Sequence, residues 1–137
     1  MNERIIIYFI EHGANVNEDI GYERETPIFI AFRHRNPKLI AGLIEHGADV
    51  HKKDRDGETP LIKACNLGYE NIVKCLVEHG ANVNEEIKRD NNDNYTPLFI
   101  ACREGYKSIV EYLIEYEADI HKESFFFFFF FNILHHC

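Results

Sequence analysis

Apolar residues recur along this chain in short stripes of helical spacing, and the stripes align with one another. Ile5, Ile6, Phe9 and Ile10 are matched in register by Leu39, Ile40, Leu43 and Ile44, then by Ile72, Val73, Leu76 and Val77, and last by Ile109, Val110, Leu113 and Ile114. Each stripe runs i, i+1, i+4, i+5, which puts four apolar side chains on one face of a helix of about ten residues. Ahead of the last three stripes stands a Thr-Pro pair, at Thr26-Pro27, Thr59-Pro60 and Thr96-Pro97, spaced 33 and 37 residues apart. Proline suits the first helical position and threonine caps it, so each pair predicts a shorter helix ahead of the striped one. Gly68 and Gly105 end that first helix, and Gly13, Gly47 and Gly80 stand at the end of the second. Polar segments such as Lys52-Lys53-Asp54-Arg55-Asp56-Gly57 separate the units, with Asp-Gly as a turn signal.

A second landmark follows each stripe. It reads His46-Gly47-Ala48-Asp49-Val50, His79-Gly80-Ala81-Asn82-Val83 and a worn Tyr116-Glu117-Ala118-Asp119-Ile120, and recurs near the start, with no Thr-Pro before it, as His12-Gly13-Ala14-Asn15-Val16. Written over Asp54 to Asn84, the full unit is DxxGxTPLxxAxxxGxxxxVxxLxxxGAxVN. This pattern resembles the ankyrin repeat, and the 33-residue period agrees with it. The resemblance covers about residues 1 to 123. It implies an all-α fold, an ankyrin-repeat solenoid of stacked helix-turn-helix units whose loops project as β-hairpin fingers. It also implies a role: fingers and first helices line a concave surface that binds other proteins, with no catalytic activity and no cofactor.

The units divide the chain. Residues 1–20 are a partial repeat with the second helix only, 21–53 and 54–86 are complete repeats, 87–123 is a repeat with a four-residue loop insertion, and 124–137 is an atypical tail containing seven consecutive phenylalanines. The half unit predicts that Ile5, Ile6, Phe9 and Ile10 pack on one side only and that their helix frays. Arg24 and Arg35 stand where other copies or the family prefer glycine, and a side chain held at positive φ costs about 1 kcal/mol. Phe29, Ile62 and Phe99 occupy a position where many ankyrin units carry histidine, so a polar network is expected to give way to apolar filling. The tail begins where a fifth finger should begin, and a finger needs Gly, Asp and Asn. We expect it to be translated outside its proper coding context, and its exposed apolar run to promote aggregation.

Charge and composition narrow the role. Fifteen Lys and Arg against 23 Asp and Glu give a net charge of −8, which disfavours a grip on nucleic acid or an anionic membrane and favours a neutral or basic partner. No stretch reaches the roughly 20 apolar residues of a membrane helix, and the first residues lack the marks of a secretion signal, so a cytoplasmic monomer is expected, with the nucleus open to it. The four cysteines match neither a metal knuckle nor a disulfide framework, and Cys65 and Cys102 follow Ala64 and Ala101 as small core residues. His12, His46 and His79 share the end of the second helix, where a donor suits the terminal carbonyls. His135-His136-Cys137 lacks a positioned fourth ligand, so no metal is expected. Nor is an enzyme expected, because no nucleophile, base and carboxylate recur at catalytic spacing and no phosphate loop is present.

The resemblance places partner contacts at the finger tips and on the exposed side of the first helices. Here these are Tyr22, Glu23, Glu25, Arg33 and His34, then Arg55, Asp56, Glu58, Asn66 and Leu67, then Asn92, Asp93, Tyr95, Arg103 and Glu104. Tyrosine and arginine among them are the expected anchors. For any one of these residues, plain solvation is the competing reading. For the whole chain it is a truncated or degenerate repeat-gene fragment with no independent function, because neither end supplies the polar cap that keeps an array soluble.

Overall fold

The computed structural model describes residues 3–21, 25–88, 94–116 and 118. Helices α1 (Glu3–Glu11), α2 (Pro27–Phe32), α3 (Pro37–Glu45), α4 (Pro60–Leu67), α5 (Glu70–Glu78), α6 (Pro97–Glu104) and α7 (Lys107–Glu115) carry nearly all the regular structure. Each of α2, α4 and α6 opens on the proline of a Thr-Pro pair and packs against the helix that follows it. The second helices stack in sequence, α1 on α3, α3 on α5 and α5 on α7, while α4 stacks on α6. This is the helix-turn-helix solenoid that the period predicts.

Burial follows register. Leu43, Leu76 and Leu113 are fully buried, as are Ala31, Ala64 and Ala101 on the first helices. Alanine there adds little side-chain bulk between adjoining helices, and a larger group would have to displace its neighbours. Phe29 and Ile62 are buried and Phe99 packs against the core, so the apolar filling expected at these three positions is present. Cys65 and Cys102 are buried core residues as well. The first unit departs from this register. Ile6 is buried, but Ile5 and Phe9 are 46% and 59% exposed at positions buried in the other three units.

The first helices α4 and α6 end on left-handed residues, Gly68 (φ 72°) and Gly105 (φ 78°), and Arg35 takes the same conformation after α2 (φ 48°). The N–H of Tyr69 then donates to the carbonyl of Ala64 at 3.0 Å and that of Tyr106 to Ala101 at 2.9 Å, satisfying carbonyls the helix leaves open. Arg35 carries the strain that its position predicts, and its guanidinium lies 4.8 Å from the centre of the Tyr69 ring.

Two of the three threonines act as caps. Thr59 accepts from the N–H of Ile62 at 3.4 Å and Thr96 from that of Phe99 at 3.1 Å. Thr26 does not, and its buried hydroxyl has no partner among the described residues, which departs from the expected cap. Asn36 accepts from the N–H groups of Lys38 and Leu39 and caps α3 as its place before Pro37 predicts. The loops between units fold back on themselves. Ile20 bridges Glu25, the N–H of Asp54 donates to the carbonyl of Glu58 at 2.9 Å, and β1 (Ile87–Lys88) pairs antiparallel with β2 (Asn94–Tyr95).

Candidate protein-binding face

The third finger is built around one carboxylate. Asp54 Oδ1 accepts from the N–H groups of Asp56 and Glu58 at 2.9 and 3.0 Å, and Oδ2 accepts from Lys63 Nζ at 2.9 Å. An aspartate that gathers backbone donors two and four residues on fixes the turn, and the lysine ties that turn to helix α4. Burial works against the charge on Lys63, but the bond to Asp54 and the nearby Glu58 and Asp56 outweigh it and raise its pKa above 10.5. Arg55 and Asp56 are left exposed at the tip.

A polar strip continues from this finger into the fourth unit. Asn66 Nδ2 donates to Glu58 at 2.7 Å, and Asn66 Oδ1 accepts from Arg103 Nη2 at 3.4 Å. Arg103 Nε also donates to Glu104 at 3.0 Å, while its guanidinium lies 5.5 Å from the centre of the Tyr95 ring. Tyr95 in turn packs on Phe99 with ring centres 4.9 Å apart. Five of the expected contact residues, Glu58, Asn66, Tyr95, Arg103 and Glu104, are thus brought into one connected group. Glu25 and Arg33 form a separate ion pair in the second unit. His34 and Leu67 are exposed.

One placement corrects the sequence expectation. Glu58 is only 7% exposed, because its bond to Asn66 and its N–H bond to Asp54 draw it inward, so it supports the face without presenting itself on it. Tyr22, Glu23, Asn92 and Asp93 lie outside the described residues. The sequence reading did not assign Asp54 or Lys63 a role in the finger, nor Asn17 a role between units. Asn17 donates to the carbonyl of Gly47 at 3.0 Å and accepts from the N–H of Asp49 at 2.8 Å, tying the loop after the first unit to the loop after the second. Asp54 was visible as the first residue of the DxxG motif. Asn17 was visible as the counterpart of Asn84 at the end of the GAxVN motif, whereas Lys63 carried no local signal.

The three helix-end histidines and Cys65 fill structural places. His12, His46 and His79 each donate from Nδ1 to the carbonyl four residues earlier, at 2.7 Å, in the role their helix-end positions suggest. Burial pushes the Cys65 thiol far above its ordinary range, with Glu85 adding to the effect, so it stays protonated and unreactive. Glu85 receives the Thr59 hydroxyl bond. Burial raises its carboxyl pKa, and the Thr59 bond, His51 and Lys53 offset this only in part. Among the described residues, no group of three or more His, Cys, Asp or Glu is arranged to hold a metal ion, and no helix is long and apolar enough to cross a membrane.

A family profile described as ankyrin repeats in three copies matches residues 43–124. The chain belongs to the ankyrin-repeat family. It is 31% identical over 72 residues to a putative ankyrin repeat protein, FPV216, of Fowlpox virus, a match covering 53% of this chain and 24% of that one. It is 34% identical over 59 residues to the ankyrin repeat-containing protein P1E11.10 of Schizosaccharomyces pombe, covering 42% and 27%. A 61-residue match at 36% identity to an L-asparaginase of Dirofilaria immitis covers 44% of this chain and 10% of that protein. The chain thus spans about a quarter or less of the length of most curated relatives it matches. Ankyrin repeats are, in general, modules of protein–protein interaction.

Proposed function

We propose that this chain is a cytoplasmic, monomeric scaffold that binds a partner protein through its fingers and first helices. The observation that carries the reading is the connected strip of Asn66, Arg103 and Tyr95 across the third and fourth units. An arginine held by a neighbouring amide and an aromatic ring is pre-ordered, so less side-chain entropy is lost when a partner covers it. Arg103 and Tyr95 are the proposed anchors, with Arg55 and Asp56 at the neighbouring tip as rim contacts. Panning a displayed peptide library against the full chain tests this. Arg103→Ala and Tyr95→Ala should each weaken the selected binders by about tenfold or more, as anchor residues do. Lys107→Ala, on a second helix, should leave them unchanged. Binders indifferent to Arg103 and Tyr95 would move the binding surface elsewhere.

A second reading, an incomplete array with no function of its own, is favoured by the uncovered Ile5 and Phe9. Thermal unfolding separates the two, since a cooperative transition supports the scaffold and a featureless one supports the fragment.

A further inference from the structure

Helix α1 leaves open an apolar face that the other second helices bury. Ile5, Tyr8 and Phe9 are 46%, 57% and 59% exposed. Register shows what each position meets elsewhere in the chain. Tyr8 corresponds to Gly42, Cys75 and Tyr112, which face the second helix of the preceding unit. A methyl group added at Gly42 would lie 3.6 Å from Ile7, Cys75 Sγ donates to the carbonyl of Pro37 at 3.5 Å, and the Tyr112 hydroxyl donates to the carbonyl of Lys74 at 3.4 Å. Phe9 is turned by about 100° from Tyr8 and away from Ile7, so it faces neither neighbouring second helix. Its counterparts Leu43, Leu76 and Leu113 are buried, on helices that each pack against the first helix of their own unit. The open face of α1 is therefore the place where a first helix seats in the other three units.

We propose that the face of Ile5, Tyr8 and Phe9 docks a short amphipathic helix of a partner protein, built like the chain's own first helices. It is a second surface, separate from the strip of Arg103 and Tyr95. The occupant's chemistry is written three times in the chain. Helices α2, α4 and α6 each open on Thr-Pro, carry an apolar pair in the first turn and bring an alanine into full burial one turn later, at Ala31, Ala64 and Ala101. The apolar pair supplies contact area, and alanine lets two helix axes approach closely. A second copy of α1 fits less well, since it has no alanine and its open face carries two bulky rings. Those rings are already ordered. Tyr8 stacks on His12 with ring centres 4.0 Å apart and meets Phe9 edge-on at 6.2 Å, so less freedom is lost when a helix covers them. The chain's net charge of −8 favours a neutral or basic helix.

The probe is an acetylated peptide with the sequence of residues 58–69, carrying alanine in place of Cys65, titrated into the isotope-labelled full chain and followed by amide NMR. Saturable shifts centred on Ile5 to Phe9 are expected, together with slower hydrogen exchange along α1. Phe9→Ala should weaken the response by about tenfold, as loss of an aromatic anchor does, and Lys107→Ala should leave it unchanged. The same peptide with Ala64→Arg should not bind, because the longer side chain holds the helices apart. Spectral dispersion reports whether each variant is folded. No shift up to the solubility limit, equal shifts with the Ala64→Arg peptide, shifts centred on α5, or a response that survives Phe9→Ala would each overturn the proposal. So would self-association of the unliganded chain that Phe9→Ala abolishes, which would seat a second copy on the face. Panning reads Arg103 and Tyr95 whereas this titration reads α1, so either surface can fail without the other.

Discussion

Thr26 and Thr59 occupy the same place in successive units and have opposite surroundings, which makes them a controlled pair. At Thr26 a buried hydroxyl is desolvated with no partner among the described residues, so Thr26→Val should stabilise the fold by about 1 kcal/mol. At Thr59 the hydroxyl caps Ile62 and serves Glu85, so Thr59→Val should destabilise by about 1 to 2 kcal/mol. Equilibrium denaturation in urea reads both, and equal signs would mean the two hydroxyls share one environment. Glu85 itself gives a pH signature. Its carboxyl pKa is raised above 4.5 in the folded chain, so the native state binds its proton more tightly, and the stability from this site declines as pH rises through the raised value. Glu85→Gln keeps an acceptor for Thr59 and removes the buried charge. The variant should be more stable than the parent at pH 7, with the difference shrinking as pH falls to about 4.5. A difference independent of pH across that window would show that burial of the charge is not the cause.

At the scale of helices and turns, the residue that ends a first helix also meets the next unit. A methyl group added at Gly68 would come within 2.7 Å of the Tyr106 ring, whereas one added at Gly105 meets no described atom within 4 Å. Both positions have positive φ, so Gly105→Ala should cost about 1 to 2 kcal/mol from backbone strain alone. Gly68→Ala should cost about 1 to 3 kcal/mol more, because the rigid ring must move. Chemical denaturation of the two variants isolates the contact between units, and equal losses would show that the ring gives way freely. The same turns show what the sequence could reveal. Thr-Pro starts, glycine ends and the apolar stripes act within a few residues of one another, and all are legible from spacing. Links between units are not. Asn17 reaches Gly47 and Asn66 reaches Arg103, and each partner is chosen by how one unit stacks on another. Glu58 was misread because of a fold-back within its own unit, since a charged residue beside a turn glycine looks solvated until Asn66, on the helix that follows, is placed against it.

For the molecule as a whole, each unit finds its apolar partners only in its neighbours, so stability is a sum of unit and interface contributions and declines where a neighbour is missing. The aligned positions Phe9 and Leu76 put this to a test within one chain. Leu76 is fully buried on α5, which packs against α3, α4 and α7, whereas Phe9 is 59% exposed on α1. Leu76→Ala should therefore cost about 2 to 5 kcal/mol, the range for a truncated core leucine. Phe9→Ala removes a larger side chain but should cost less than about 1 kcal/mol, because most of the lost surface already faces solvent. Urea melts of the full chain followed by circular dichroism supply both values. Should Phe9→Ala prove as damaging as Leu76→Ala, the outer face of α1 would have to be covered in solution, and the isolated array would not be the unit that folds.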